Sequence, residues 1–280
     1  MTTTLPVLTV DELSKRYGSG CAACRDHAET ALQGNTCRHC GTVHALSGVS
    51  FEVHPGEVLG IVGESGSGKS TILNCLYFDE EPTSGHAYLA AYERGAADLW
   101  TASGERRRWI RNHLLGKVYQ NPMLGLNMDF SSVANIAEKM IAANDRHVGR
   151  MEARARVLLE HTRIPTHRMR TSPRQFSGGM QQRVQIAKAL SNEPPILLLD
   201  EVTTGLDLSV QARVLDLIKQ IRRDVGVAMI LVSHDLAVIR MLADRTIVMR
   251  DGRQVEAGLT DQIMEDPQHP YTQELVYSLL

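Results

Sequence analysis

The chain lacks an excess of charge of either sign: 30 basic residues stand against 32 acidic ones in 280 positions, for a formal net charge of −2. That balance removes the electrostatic footprint by which nucleic-acid-binding proteins gather phosphates, so no nucleic acid partner is expected. Its one basic run, Arg106-Arg107-Arg108 with Arg111, reads as a solvated helix face. Long apolar runs are missing too. Stretches such as Val227-Ala228-Met229-Ile230-Leu231-Val232 fall far short of the ~20 residues that span a bilayer, so membrane contact would have to pass through another chain. The N-terminus, Met1 to Pro6, shows no basic segment followed by an apolar one, and no secretion leader is expected. There is no repeat and no low-complexity stretch. What remains is enough chain for one large domain, or for one with a sizeable subdomain.

Present instead is a stretch around which the rest can be arranged. Gly63-Glu64-Ser65-Gly66-Ser67-Gly68-Lys69-Ser70-Thr71 matches G-x-x-x-x-G-K-[ST]. The apolar run Val58 to Val62 precedes it as a strand, and Ile72 to Tyr77 follows as a helix. Glycine-rich turns between strand and helix are common, but this one has the full motif in the context it demands. Glycines let the backbone wrap a phosphate chain so that amides and a helix N-terminus face the anion. Lys69 then meets the outer phosphates, and Ser70 takes one Mg²⁺ position.

Cysteine is scarce, yet four of the five fall in one segment. Cys21-Ala22-Ala23-Cys24 and Cys37-Arg38-His39-Cys40 form two knuckles on either side of a short polar loop. This is metal-ligand spacing, and four thiolates can close a tetrahedron round Zn²⁺. A metal would hold together a segment, residues 18–43, too small and polar to bury a core of its own. Two disulfides, an iron–sulfur cluster and a redox-active thiol pair are the alternatives. His27, His39 and His44 lie near enough to replace a ligand. Cys75, after the phosphate loop, reads as a small buried residue.

Along the rest of the chain, residues 7–15 read as a strand, ended by Tyr17, and residues 45–53 as another. Pro82 to Gly85 makes a turn before an edge strand at 86–89, and residues 105–115 are helical or irregular. Gly116 to Gln120 is a strand stopped by Asn121-Pro122. Residues 132–163 carry helical periodicity, with Met123, Met128, Met140 and Met151 read as core filling. Ser177 is placed as the N-cap of a helix running through Leu190, and Gly178-Gly179 would let a ligand approach the backbone. Ile196 to Leu199 forms a buried strand that delivers Asp200 and Glu201 to its C-terminal edge, where ligands bind in open α/β sheets. One carboxylate there can serve a Mg²⁺ shell and its neighbour can orient or deprotonate a water. A loop through Asp207 leads to a helix at 209–222 and a strand at 228–232 that ends at His234. A hairpin with an Asp251-Gly252 turn and a last helix ending at Leu280 close the chain.

With these residues in order, the chain resembles the ATP-binding-cassette ATPases over nearly its whole length, the cysteine segment excepted. The resemblance implies an α/β P-loop NTPase with a RecA-like core, an antiparallel β-subdomain, an α-helical subdomain at about 121–185 and a C-terminal hairpin with helices at 244–280. Residues 18–43 would be a zinc-ribbon-like insertion into this single cassette, 1–280. By the same resemblance Tyr17 stacks on adenine, Gly63 to Ser70 hold phosphate, and Gln120 senses Mg²⁺ and the attacking water. Phe176 to Gln181 is the signature, with Ser177, Gly178 and Gly179 completing the site of a second cassette. Asp200 binds Mg²⁺ with Ser70 and Gln120, Glu201 is catalytic, Asp207 lies in the dimer-contact loop, and His234 is the switch histidine. Met180 stands where the family usually has glutamine, and Val202 where it usually has proline.

Phe176 to Arg183, Gly205 to Arg213, Gly258 to Asp261 and Asp266 to Gln273 are similar, more narrowly, to the cassettes associated with the carbon–phosphorus lyase system of phosphonate breakdown. This resemblance implies ATP and Mg²⁺ as cofactors and two partners: a second cassette, identical or related, and the lyase core complex. Zn²⁺ is expected from the cysteine spacing alone, and a cytoplasmic location from ATP use without an export signal. The His269-Pro270-Tyr271-Thr272 ending is shared with dipeptide and nickel importers. A membrane permease, coupled through residues 120–140, is therefore the alternative partner. A translation or repair module is the third class, but such proteins usually join two cassettes in one chain.

Overall fold

The structure is a computed structural model that describes residues 5–25 and 31–278. His27, offered above as a substitute ligand, and Leu279 and Leu280, where the last helix is expected to end, lie outside them. The described residues within 1–54, 58–102 and 232–280 form one compact unit, and those of 55–57 and 103–231 a second.

The first unit opens with β1 (Leu8–Tyr17), a short α1 (Ala22–Arg25), the small hairpin β2 (Leu32–Gln33) and β3 (Thr36–Cys37), and β4 (Val43–Val53). β5 (Val58–Val62), α2 (Lys69–Leu76) and β6 (Ser84–Leu89) follow. An antiparallel sheet runs in the order β2-β3-β4-β1-β6, so the expected edge strand is indeed at the edge. Along β1, Leu8, Val10 and Leu13 are buried, a spacing that strict alternation forbids. Glu12 resolves it. With φ of 51° it bulges the strand, and the register shifts there so that Leu13 faces inward again.

The second unit carries α3 (Gly104–His113), β7 (Leu115–Val118), α4 (Pro122–Gly125), α5 (Ser132–Ala142), α6 (Val148–His161) and α7 (Gly178–Ala189), then β8 (Ile196–Asp200), α8 (Leu208–Val225) and β9 (Ala228–Val232). β7 pairs in parallel with β8. β8 and β9 are buried at every position, which explains why they read as unbroken apolar runs. Met140 and Met151 fill the helical core as expected, whereas Met123 is 66% exposed and Met128 half-buried. For Met123 the cause is local: α4 is a single turn, with no buried residue of its own.

The chain then returns to the first unit through α9 (Leu236–Leu242), β10 (Arg245–Arg250), β11 (Arg253–Leu259), α10 (Thr260–Glu265) and α11 (Pro270–Tyr277). β10 lies parallel to β5 and antiparallel to β11. The hairpin turn falls at Asp251 and Gly252, both at positive φ (49° and 77°), as a twist-compatible two-residue turn requires.

Candidate functional site

In the first unit the phosphate loop joins β5 to α2. Gly68, at φ 100°, is the residue before the helix, and a Cβ on it would stand 2.3 Å from the Ala45 carbonyl oxygen. Glycine is therefore required there by the packing of the loop on β4 as well as by any ligand. Glu64, Ser65 and Gly66 form an exposed rim, while Ser67 and Lys69 are buried and Ser70 and Thr71 half-buried. Lys69 Nζ donates to the Gly63 and Glu64 carbonyls, both at 2.7 Å, and to Ser67 Oγ at 3.4 Å. The ammonium is thus held over the loop whose amides would receive phosphate.

Two distant residues steady this loop. The Glu64 N–H donates to the Tyr271 hydroxyl at 3.0 Å, and the Gly252 N–H to the Ser67 carbonyl at 3.2 Å. Tyr271 was not singled out in the sequence; its one signal was the His269-Pro270-Tyr271-Thr272 ending. Tyr17, at the end of β1, is 43% exposed. Its hydroxyl bonds to the Glu80 carboxylate and also meets the Thr71 side chain, which brings the ring to the end of the phosphate loop. Partial burial, then the bond to Glu80 and its charge, push the phenol up to about 12. His234 is exposed, and the preceding Ser233 N–H donates to the Ile61 carbonyl of β5.

The second unit brings Gln120 and Glu201 together. Gln120 Nε2 donates to Glu201 Oε2 at 3.1 Å, and Thr204 Oγ1 bonds to the same oxygen at 3.1 Å. Glu201 stands directly after β8 with φ of 43°, an uncommon conformation for a residue with a side chain and of the kind held in place at functional sites. Asp200 ends the strand, 9% exposed. Gln120 itself is placed by α7. Gln185 Oε1 accepts from the Tyr119 N–H at 2.6 Å, and Gln185 and Gln182 donate to the Tyr119 carbonyl at 3.1 and 3.2 Å. These two glutamines, i and i+3 on one helix face, are buried. Sequence reading missed them because polar residues on a helix are normally assigned to water.

Ser177 occupies the N-cap position of α7, but its side chain makes no capping bond, contrary to expectation. Ser177 and Gly178 are exposed, while Gly179 is buried against Val210. The free approach expected at both glycines is open at Gly178 alone. Asp207 caps α8, its Oδ1 accepting from the Val210 N–H at 3.0 Å; that bond and the one from Ser209 hold its carboxyl below the usual range, the Ser209 bond most.

The four cysteines also meet. All four Sγ atoms lie within 4.8 Å of one another, with Cys21–Cys24 and Cys21–Cys37 at 3.8 Å and Cys24–Cys40 at 3.7 Å. Around a tetrahedral ion with metal–sulfur bonds of about 2.3 Å, sulfurs stand about 3.8 Å apart, so the cluster fits one such ion. The cysteines are unpaired as disulfides. The Cys40 thiol donates to Thr42 Oγ1 at 3.2 Å, and its bonds to Thr42 lower it to about 6. Against a bond at the Cys21 carbonyl, burial and bonds to the other sulfurs push the Cys24 thiol up to about 11.

A phosphate loop at a strand end, and a carboxylate pair with its glutamine partner at another, are the parts of a nucleotide-hydrolysing cassette. The chain belongs to the ATP-binding cassette family: the family described as ABC transporter matches residues 46–204, more than half of its length. It is an ATPase of that family. Its similarity to the phosphonates utilization ATP-binding protein PhnK of Escherichia coli (strain K12) is 47% identity over 84% of this chain and 91% of the relative. To the dipeptide transport ATP-binding protein DppD of Bacillus subtilis (strain 168) it is 38% identical, over 85% of this chain and 72% of that one. Among solved structures, the dimeric post-hydrolysis state of the ATP-binding cassette MJ0796 bound to ADP and Pi superposes with a TM-score of 0.74 at 27% identity, over 90% of this chain and 98% of that one. Among the described residues, no helix is long and apolar enough to cross a membrane.

Proposed function

We propose that this chain is the energy-supplying cassette of a cytoplasmic phosphonate-breakdown assembly, binding and hydrolysing ATP to change the conformation of a carbon–phosphorus lyase complex. The bond between Gln120 and Glu201 carries the hydrolytic part, and the 47% identity to a phosphonates utilization protein carries the pathway. The whole chain is then one cassette. Residues 18–43 are its metal-binding insertion, about 121–185 its helical subdomain, and 244–280 its C-terminal hairpin and helices.

Tyr17 stacks on adenine, and the amides of Gly63 to Ser70, with Lys69 and Thr71, receive the phosphates. Ser70, Asp200 and Gln120 are the oxygen donors suited to Mg²⁺, which would neutralise charge on the phosphates when bound. Glu201 orients a water and takes its proton as the water oxygen bonds to the γ-phosphorus. The bond from that phosphorus to the bridging oxygen breaks, and ADP leaves with the electron pair. His234 and Lys69 offset the charge on the transferred group. A second cassette, identical or related, supplies Ser177 and Gly178 at the exposed start of α7, and contacts its partner through the loop at Asp207.

The four sulfurs hold a structural Zn²⁺: their spacing suits a single ion and is too tight for a cluster of several irons. The test of the pathway is affinity capture of the tagged chain from cells grown on a phosphonate as sole phosphorus source. Co-purifying lyase subunits support the reading. A membrane permease instead would overturn it in favour of the importer class to which the peptide-transport relatives belong.

A further inference from the structure

Tyr17 ends β1, and Cys21 follows it after only Gly18, Ser19 and Gly20. Thr42, 3% exposed, packs against that linker. Its Oγ1 accepts from the Gly20 N–H at 3.1 Å and meets Cys40 Sγ at 3.2 Å. A Cβ on Gly18, where φ is 112°, would come within 2.8 Å of the same oxygen. The Thr42 carbonyl accepts from the Cys37 N–H at 2.8 Å, and the next residue, Val43, pairs with Tyr17 in the β1–β4 ladder. One buried side chain therefore touches both the segment that leaves Tyr17 and the shell of the four sulfurs.

A hydroxyl has one proton to give and lone pairs with which to accept. In this structure the Gly20 amide and the Cys40 thiol both donate into Thr42 Oγ1, so that one oxygen joins the linker to the sulfur. A metal-bound Cys40 would have no thiol proton to give, so the Thr42 hydroxyl would turn its own proton to the sulfur and the ion would fix the linker through it. Without an ion, residues 18–43 have little core to hold them and the linker loses its far anchor. Tyr17 feels this directly, because its half-exposed ring is otherwise held by Glu80, Thr71 and the Lys15 ammonium, 4.9 Å from the ring centre.

We infer that metal at the four cysteines sets the affinity for nucleotide, with Thr42 as the positioning residue that joins Cys40 to the linker carrying Tyr17. The inference rests on the zinc and adenine readings above. Full-length protein is assayed for zinc by mass spectrometry, and the Kd of a fluorescent ATP analogue is measured before chelation, after it, and after zinc is returned, in the wild type and in Tyr17→Ala. Chelation should weaken binding about tenfold in the wild type, within the usual range of coupling between sites, and zinc should restore it. In Tyr17→Ala the Kd should not respond to chelation. Thr42→Val should lower zinc affinity about 10- to 100-fold and weaken nucleotide binding even at saturating zinc, and Thr42→Ser should restore both. Should Thr42→Val fail to fold, the chelation series decides. Stoichiometric zinc with a Kd indifferent to its removal overturns this inference and leaves both sites standing. A loss of equal size in Tyr17→Ala overturns the route through Tyr17. Protein purified without zinc overturns the metal reading, and this inference with it.

Discussion

Glu201 and Lys139 show how single side chains take their chemistry from their surroundings. Glu201 has its carboxylate oxygen bound by both Gln120 and Thr204, so a water delivered to it meets a base already oriented. Glu201→Gln keeps the shape and removes the base. Its phosphate release should fall about 10²- to 10⁴-fold while equilibrium nucleotide binding stays within a factor of a few. Retained turnover would remove Glu201 from its role. Lys139 is buried in the helical part of the second unit, donating to the Arg111 and Leu115 carbonyls at 2.6 and 3.2 Å. Burial, with the charges of Arg111 and Lys188, pulls its ammonium down to about 7. In the unfolded chain it holds its proton to about 10.4, so across that window folding expels a proton and stability rises with pH. Urea denaturation of the wild type should gain stability from pH 7 towards 10 relative to Lys139→Met, which cannot titrate. Parallel pH profiles for the two proteins would contradict this.

At the scale of elements, α7 serves two ends. Its buried glutamines set the strand end that presents Gln120, and its first turn leaves Ser177 and Gly178 exposed. The helix can do both because Gly179 lets it lie against α8: a Cβ there would reach 2.1 Å from Val210 Cγ1. Gly179→Ala should therefore cost about 1–3 kcal/mol in thermal or urea unfolding, and Val210→Ala in the same chain should recover much of it. An unchanged midpoint for the single variant would show that the helices part freely. The elements were legible in the sequence where a period was strong. The unbroken apolar runs of β5, β8 and β9 and the Asp-Gly hairpin turn all stand where expected. The missing side-chain cap at Ser177 and the exposed Met123 were not legible, since residue type at a helix end or in a one-turn helix does not say where the side chain points.

For the molecule as a whole, near-neutral charge leaves little electrostatic repulsion to keep two copies apart, and family members such as MJ0796 are seen as dimers. With Mg²⁺ and ATP, Glu201→Gln should double in mass from 31.0 kDa by light scattering, because nucleotide that is bound but not split holds the halves together. A variant that binds ATP and stays at 31.0 kDa would exclude the homodimer and leave a related cassette as the second half.

The chain's amino acids alone determined the phosphate loop, the carboxylate pair, the glutamine and histidine at their strand ends, and the two cysteine knuckles. Each of these is a short pattern whose chemistry is local. Folding decided what no short window contains: that Tyr271 supports the Glu64 amide, that Gln182 and Gln185 turn inward, and that Thr42 stands between Gly20 and a sulfur. Such contacts join residues far apart along the chain and with no shared period. They form only once the buried strands have closed the loops between them and brought the polar groups within reach of one another.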